Sequence, residues 1–462
     1  MQEIQEKQYG RKLLFWIAGA AVISLILAPL LQQGLDIYLM YHWAQGLAQG
    51  FFNAYDGHVA SLDYPPMYFI PLWVIGKIDQ AVDMSGSDAL IQFSLKVVPI
   101  AFYMLCVWST YRIALRYADP KGAYRAALFM LLCPTLFINS VYWAQMDCIL
   151  IFFVLWFFFL LDDGRPLAAT VVFALCGVMK LQTLFFLPAF VMYLWFRYPL
   201  KKVIFCGVTG IALAYAVFIP FIIPRLSILY GEAAASGLSF FPALTQAIRS
   251  SVPLKDGVLL PFNLYFGSYN SYPYASMNAC NFWTFCGLNM KSGSLTQPLI
   301  ADWSWLTAKS LGGFFLAAAL LFPVGYMIAA KIRKWDADVW TVAFVSMQTV
   351  YMLSAMMHDR YQIVVLPLLM MIWLKKKDAR FGLAFILTTG VTCVNHLLTL
   401  IGYSTWTLQQ FLFHGAGSVI FIVVSMLNLV LYGYTIIISW GHLFPGAGRP
   451  DKTPGSAFGI QG

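Results

Sequence analysis

PPMYFIPLWVIGKI, residues 65–78, is the stretch on which the reading of the whole chain turns. It is apolar enough to enter a membrane, yet shorter than the roughly 20 residues that span hydrocarbon. If it crossed, every later loop would change sides. Basic residues accumulate on the cytoplasmic side of a membrane protein, so their positions choose between the two arrangements. With an inside N-terminus and 65–78 lying on the surface, Arg11, Lys12, Arg112, Arg116, Lys121, Arg125, Lys201, Lys202, Arg333 and Lys334 all fall inside, as does the run Lys375–Lys377. A crossing at 65–78 would put the clusters 197–202, 331–334 and 375–377 outside. The surface arrangement is therefore expected.

The medium itself follows from composition. Of 462 residues, 60% are hydrophobic and 11% charged, where a soluble globule carries about 25% charged. Runs long enough to cross lie at about 12–31, 89–111, 122–139, 147–161, 166–180, 181–197, 203–223, 305–330, 337–355, 361–374, 380–400 and 416–438. The expected fold is all-α, a polytopic membrane protein of about 12 helices with external surface helices at 36–52 and 65–78. Residues 1–223 form an N-terminal membrane module with an external loop at 32–88. A long external loop covers 224–302, a second membrane module 303–440, and a cytoplasmic tail 441–462. The apolar run 13–31 is too long for a signal-peptide core and is expected to be the first span.

Candidate chemistry gathers at the external ends of these spans. Asp36 follows the first span closely, where partial desolvation suits a general base; a helix cap is the competing role. Asp63 and Tyr64 precede Pro65-Pro66, which also suits simple helix initiation. Asp147 closes the segment Trp143-Ala144-Gln145-Met146, again as carboxylate or cap. Lys180 ends a span with almost no loop behind it, and either snorkels or lines a polar cavity. His358-Asp359-Arg360-Tyr361 is the densest ionisable cluster at membrane depth. Its guanidinium offers a planar fork for phosphate oxygens, unless Asp359 and Arg360 satisfy each other. Aromatics and amides of the long loop (Tyr265, Tyr269, Tyr272, Tyr274, Asn278, Asn281, Phe282, Trp283) suit the faces of a sugar, or anchoring at the interface. Cys280 and Cys286 share a polar segment, which leaves a disulfide open. No nucleotide, zinc or nucleic-acid motif is present.

These motifs together resemble the GT-C membrane glycosyltransferases, in particular PIG-V-like mannosyltransferases and the endoplasmic-reticulum glucosyltransferases that extend lipid-linked oligosaccharide. Asp36 stands before His42-Trp43 as in a D-x5-HW pattern, and Asp63-Tyr64-Pro65-Pro66 is similar to DYPP. WAQMD at 143–147 is similar to WGQxD, with alanine for glycine. Met179-Lys180-Leu181-Gln182 resembles TKPQ without its proline. Residues 278–283 (NACNFW) resemble NAYNLW, and 358–361 (HDRY) resemble HERY with aspartate for glutamate. The resemblance spans residues 10–375.

The resemblance implies a polyprenyl-phosphate sugar as donor, a glycan or lipid-linked acceptor, and neither metal nor cofactor. Asp36 would be the base, with Asp147 beside it. His358, Arg360 and Lys180 would hold the donor phosphate. His42, Trp43, Asp63, Tyr64, Gln145, Asp359, Tyr361, Asn278, Asn281 and Trp283 would line the substrates. The transfer expected is of a hexose, mannose before glucose, at the external face of a bacterial inner membrane, or of the endoplasmic reticulum in a eukaryote. The competing class is a secondary transporter or flippase, which would place its charges at the bilayer midplane between symmetric halves. A membrane acyl- or phosphotransferase is the third.

Overall fold

The computed structural model describes the chain apart from residues 1, 56–58, 60–61, 236, 238, 240–241, 243–258, 268–271 and 445–462. Most of the tail, the middle of the 224–302 loop and Tyr269 thus lie outside the described residues.

Every apolar run is helical. The helices are α1 (Gln2–Leu27), α2 (Leu35–Gln49), α3 (Phe69–Val82), α4 (Asp88–Ala114), α5 (Pro120–Leu131), α6 (Asp147–Asp162), α7 (Pro166–Gly177) and α8 (Leu187–Arg197). They continue as α9 (Leu200–Ala235), α10 (Leu260–Gly267), α11 (Ala308–Arg333), α12 (Val339–Leu353), α13 (Val365–Lys376), α14 (Ala379–Gly402) and α15 (Ser418–Leu443). Among the described residues α1, α4, α9, α11, α14 and α15 are each long and apolar enough to cross alone. α5 and the segment Pro134–Tyr142 add a broken span, bent by 49°. Pro134 causes the break: it has no N–H to continue the helix and drives Cys133 to extended backbone (φ −69°, ψ 109°). The other expected crossings are shorter. α7, with 12 residues, reaches about 18 Å, against roughly 30 Å of hydrocarbon. A helix that stops short is stable only where its end meets protein or a polar cavity.

The excursion at 32–88 does not cross. Tyr111, near the end of α4, donates its hydroxyl to Glu6 O at 2.7 Å, while Gln92 Nε2 and Lys96 Nζ, near its start, reach Gln33 O and Ala28 O at 2.7 and 3.0 Å. α1 and α4 are therefore antiparallel neighbours, and the chain between them returns to the end it left. Within that excursion α2 and α3 pack as a hairpin. Tyr41 OH and Gln45 Nε2 both donate to Asp79, at 2.7 and 3.0 Å. At the opposite end of the bundle, Lys375 Nζ lies 2.9 Å from Asp162 and 3.0 Å from Asp338. The ends of α6, α12 and α13 that carry these residues share one side, as the span count between them requires.

A set of buried amides fastens the long loop to the helices. Ser276–Met277 pairs in parallel with Met357–His358. Asn395 of α14 accepts from Cys280 N at 2.7 Å and donates to Asn278 O at 2.6 Å. Asn428 of α15 donates to Cys280 O at 2.7 Å and exchanges hydrogen bonds with Gln362 at 3.0 Å. Cys280 is buried, Cys286 exposed, and both are free thiols, so the disulfide left open by their spacing does not form.

The α2–α3 hairpin depends on Gly76. A Cβ there would stand 2.0 Å from Ala44 O and 2.8 Å from Ala48 Cβ. Gly76→Ala is expected to force the pair apart and cost about 1–3 kcal/mol, read as a lower midpoint in thermal unfolding of the purified protein. Gly86→Ala, where a Cβ meets nothing within 4 Å, serves as the silent comparison.

Candidate functional site

Four segments meet at the end of the bundle opposite the Lys/Arg clusters: the start of α2, the turn after Pro134–Tyr142, the turn after α7, and the turn between α12 and α13. Tyr265 and residues 272–278 of the long loop close over them. The enclosed cavity measures about 530 Å³.

Asp36 lies in the first turn of α2, whose N-cap is Gly34 with no side-chain capping bond. Its side chain is turned away from the backbone. Trp143 Nε1 and Gln145 Nε2 both donate to Oδ2, at 2.7 and 2.8 Å, and among the described residues Oδ1 has no partner. The cap alternative therefore does not hold. The two donors reach Asp36 because the backbone between them doubles back. Trp143 N and Gln145 N bond to Ile138 O and Asn139 O, and Ala144 adopts φ +61°. That left-handed conformation costs an alanine about 1–2 kcal/mol. It gives a physical reason for glycine at this position in the WGQxD pattern.

Asp147 and Lys180 form a buried ion pair, with side-chain exposures of 1% and 2%. Asn139 Nδ2 donates to the second carboxylate oxygen at 2.8 Å. α7 ends at Gly177, which delivers Lys180 to this carboxylate instead of to the surface, and snorkelling is excluded. Lys180 lines the cavity; Asp147 sits behind it. Asp147 begins α6 but makes no side-chain cap.

The 354–361 turn supplies the remaining charge. Arg360 approaches Asp359 only to 3.9 Å, and its Nε is buried without a partner, as is Asp359 Oδ2. The pair is not self-satisfied. Among the described residues the guanidinium donates no hydrogen bond, and its centre lies 5.8 Å over the Trp143 ring. The His358 imidazole stands between Tyr272 and Tyr361, at centroid distances of 5.3 and 4.9 Å. Asp63 and Tyr64 line the same cavity, and Tyr64 packs on Trp43 at 5.5 Å. Burial pushes the Asp63 carboxyl above the usual carboxylate range.

Of the residues expected to serve the site, Asp36, Trp43, Asp63, Tyr64, Gln145, Lys180, Asn278, His358, Asp359, Arg360 and Tyr361 share this cavity. His42 is exposed on α2 and does not line it. Asn281 and Trp283 are structural. Asn281 accepts from Trp283 N and Thr284 N and donates to Tyr351 O, while Trp283 Nε1 donates to Leu353 O. Sequence reasoning missed Gln33, Thr399 and Tyr403 as lining residues. It also missed His396, fully buried with both ring nitrogens unpartnered and edge-on to Trp143 at 5.6 Å. A histidine beside an asparagine inside the apolar run 380–400 was the available signal.

Two stability effects follow. Lys180→Met strands the Asp147 carboxylate and is expected to cost about 3–5 kcal/mol. Lys180→Met with Asp147→Leu should be less unstable than Lys180→Met alone, as unfolding of all three proteins would reveal. Ala144→Gly should instead raise the unfolding midpoint, recovering about 1 kcal/mol of backbone strain less the added chain entropy.

Residues 63–252 match the model of glycosyltransferase family 87. That segment contains Asp63, Tyr64, Gln145, Asp147 and Lys180, while Asp36 and the 358–361 cluster lie outside it. No curated protein matches the chain. Among solved structures the chain is similar to the apo crystal structure of the Archaeoglobus fulgidus oligosaccharyltransferase, at 12% identity and a TM-score of 0.41. The similarity covers 95% of this chain and 57% of that one, so the chain spans little more than half the length of that enzyme. The family match covers about two fifths of the chain, and over that segment the protein is similar to a glycosyltransferase family.

Proposed function

We propose that the protein is an inverting hexosyltransferase. It moves mannose, with glucose the next choice, from a polyprenyl-phosphate sugar onto a lipid-linked or cell-envelope glycan at the external face of the bacterial inner membrane. One observation carries this reading. A single cavity holds a carboxylate with a free oxygen, Asp36, and a guanidinium with no hydrogen bond of its own, Arg360.

The chemistry needs both. The acceptor hydroxyl attacks the anomeric carbon from the face opposite the phosphate. Its proton passes to Asp36 Oδ1, and the bond from the anomeric carbon to the phosphate oxygen breaks. Charge grows on the departing lipid phosphate, where Arg360 offers its planar fork and His358 a ring N–H. Trp143 and Gln145 hold Oδ2, so the carboxylate presents its other oxygen to the acceptor. Asp147 acts through Lys180, fixing the ammonium at the cavity wall. Leu39, Leu184, Phe185 and Leu316 give the cavity an apolar flank suited to a prenyl chain. Asp63, Tyr64, Tyr272 and Asn278 face the sugar or the acceptor. Charges collected at one end of the bundle do not fit a transporter built around a midplane site.

The test is transfer of label from radiolabelled polyprenyl-phosphate mannose, and separately glucose, into lipid and polymer fractions by purified protein. Asp36→Asn is expected to lower turnover by about 10²–10⁴-fold, the range for loss of a general base, with donor binding retained. Arg360→Ala should lose about 10²–10³-fold through the leaving group. Full activity of folded Asp36→Asn would remove the base assignment. Absence of transfer from any polyprenyl-phosphate sugar, across varied acceptors, would remove the donor class.

A further inference from the structure

A second cavity, of about 1080 Å³, opens at the Lys/Arg-rich end of the bundle, far from the site just described. It lies between the α4–α5 turn, α5, and the end of α13. Arg116, Arg125 and Lys377 line it, against a single carboxylate, Asp119. Asp119 is already engaged, accepting from Gly122 N at 3.0 Å to cap α5. Arg125 and Lys377 have no ion-pair partner among the described residues. Arg116 reaches only Asp163, at 3.8 Å.

Several other cations at this end are spent on carboxylates: Lys375 and Lys376 on Asp338, Arg165 on Asp163, Arg380 on Asp378. Lys201, Lys202 and Arg333 have no ion pair among the described residues, but they do not line this cavity. The floor of the cavity is apolar and aromatic. Phe129 and Trp373 pack there at 5.8 Å, and Phe129 is 41% exposed on the flank of α5 that also carries Leu132, 75% exposed. A cationic mouth at the membrane boundary thus continues into an apolar surface facing lipid.

We propose that this cleft binds the headgroup of an anionic phospholipid, its phosphate held by Arg116, Arg125 and Lys377 and its acyl chains laid over Phe129 and Trp373. Clustered basic side chains at the cytoplasmic boundary attract anionic lipid generally. A concave mouth of three cations, two of them without an ion pair among the described residues, adds a defined place for one molecule. A soluble phosphate would use the cations but gain nothing from the exposed aromatic floor. The site rests on charge and shape at the far end of the bundle and is independent of the proposed sugar chemistry.

The experiment is native mass spectrometry of the full-length protein released from detergent, titrated with dioleoylphosphatidylglycerol or dioleoylphosphatidylcholine. The first bound phosphatidylglycerol should be the tighter lipid, and replacing Arg116, Arg125 and Lys377 together with Gln should weaken it by about tenfold or more. A comparison protein with Lys201, Lys202 and Arg333 changed to Gln loses equal charge from the same end and should keep the preference. Equal affinity for the two lipids would overturn the proposal, as would equal loss in both variants, which would mean diffuse attraction only. Displacement of phosphatidylglycerol by millimolar inorganic phosphate would overturn it in favour of a soluble anion.

Discussion

Lys180 and Asp147 meet almost wholly buried, Lys180 at the cavity wall and Asp147 behind it, and much of the molecule is arranged around that contact. Two opposite charges inside a membrane protein are tolerable only when paired and further hydrogen-bonded. Asn139 supplies the extra bond, and Asn139 is in place because Pro134 breaks the span before it. The same break sends Trp143 and Gln145 to Asp36. The pair also explains why α7 can be so short. Its end is received by a carboxylate instead of having to reach the headgroups, and the cavity occupies the depth that a full-length helix would have filled.

Much of this was legible in the sequence. Lysines and arginines argued against a crossing at 65–78, and Tyr111 holding Glu6 while Gln92 and Lys96 hold the residues just after α1 gives the same answer in three dimensions. Residues far apart in the chain, from Asp36 to Arg360, were expected on one face and share one cavity. The limits were equally physical. Apolar runs announce helices but not their lengths, because a Pro or an interior charge that stops a helix early leaves hydropathy unchanged. Of the twelve runs, several of them already short, the described residues show six long helices, one broken span and several shorter helices.

Side-chain direction was the other blind point. His42 and Trp43 are neighbours in sequence, yet Trp43 is buried beside Tyr64 while His42 faces outward, since successive helical residues diverge by about 100°. Asn281 and Trp283 sit in the same short motif as Asn278 and serve the loop's own architecture. A motif names a neighbourhood; the rotation of each residue within it depends on turns that sequence spacing does not fix. Asn395 and Asn428 were legible as polar residues inside apolar helices, but the loop residues they hold, Asn278 and Cys280, lie more than a hundred residues away.

The amides that fasten Asn278 and Cys280 belong to α14 and α15, the last two long helices in chain order. During synthesis Asp36 is therefore laid down early and stays without an opposing wall while most of the protein is made. Arg360 arrives late, and the loop that roofs the cavity, paired with Met357–His358, lacks its amide fastenings until Asn395 and then Asn428 enter the membrane. The cavity is in this sense a latch that α14 and α15 close. Until α15 docks, a partly inserted chain has no fully fastened roof over this cavity.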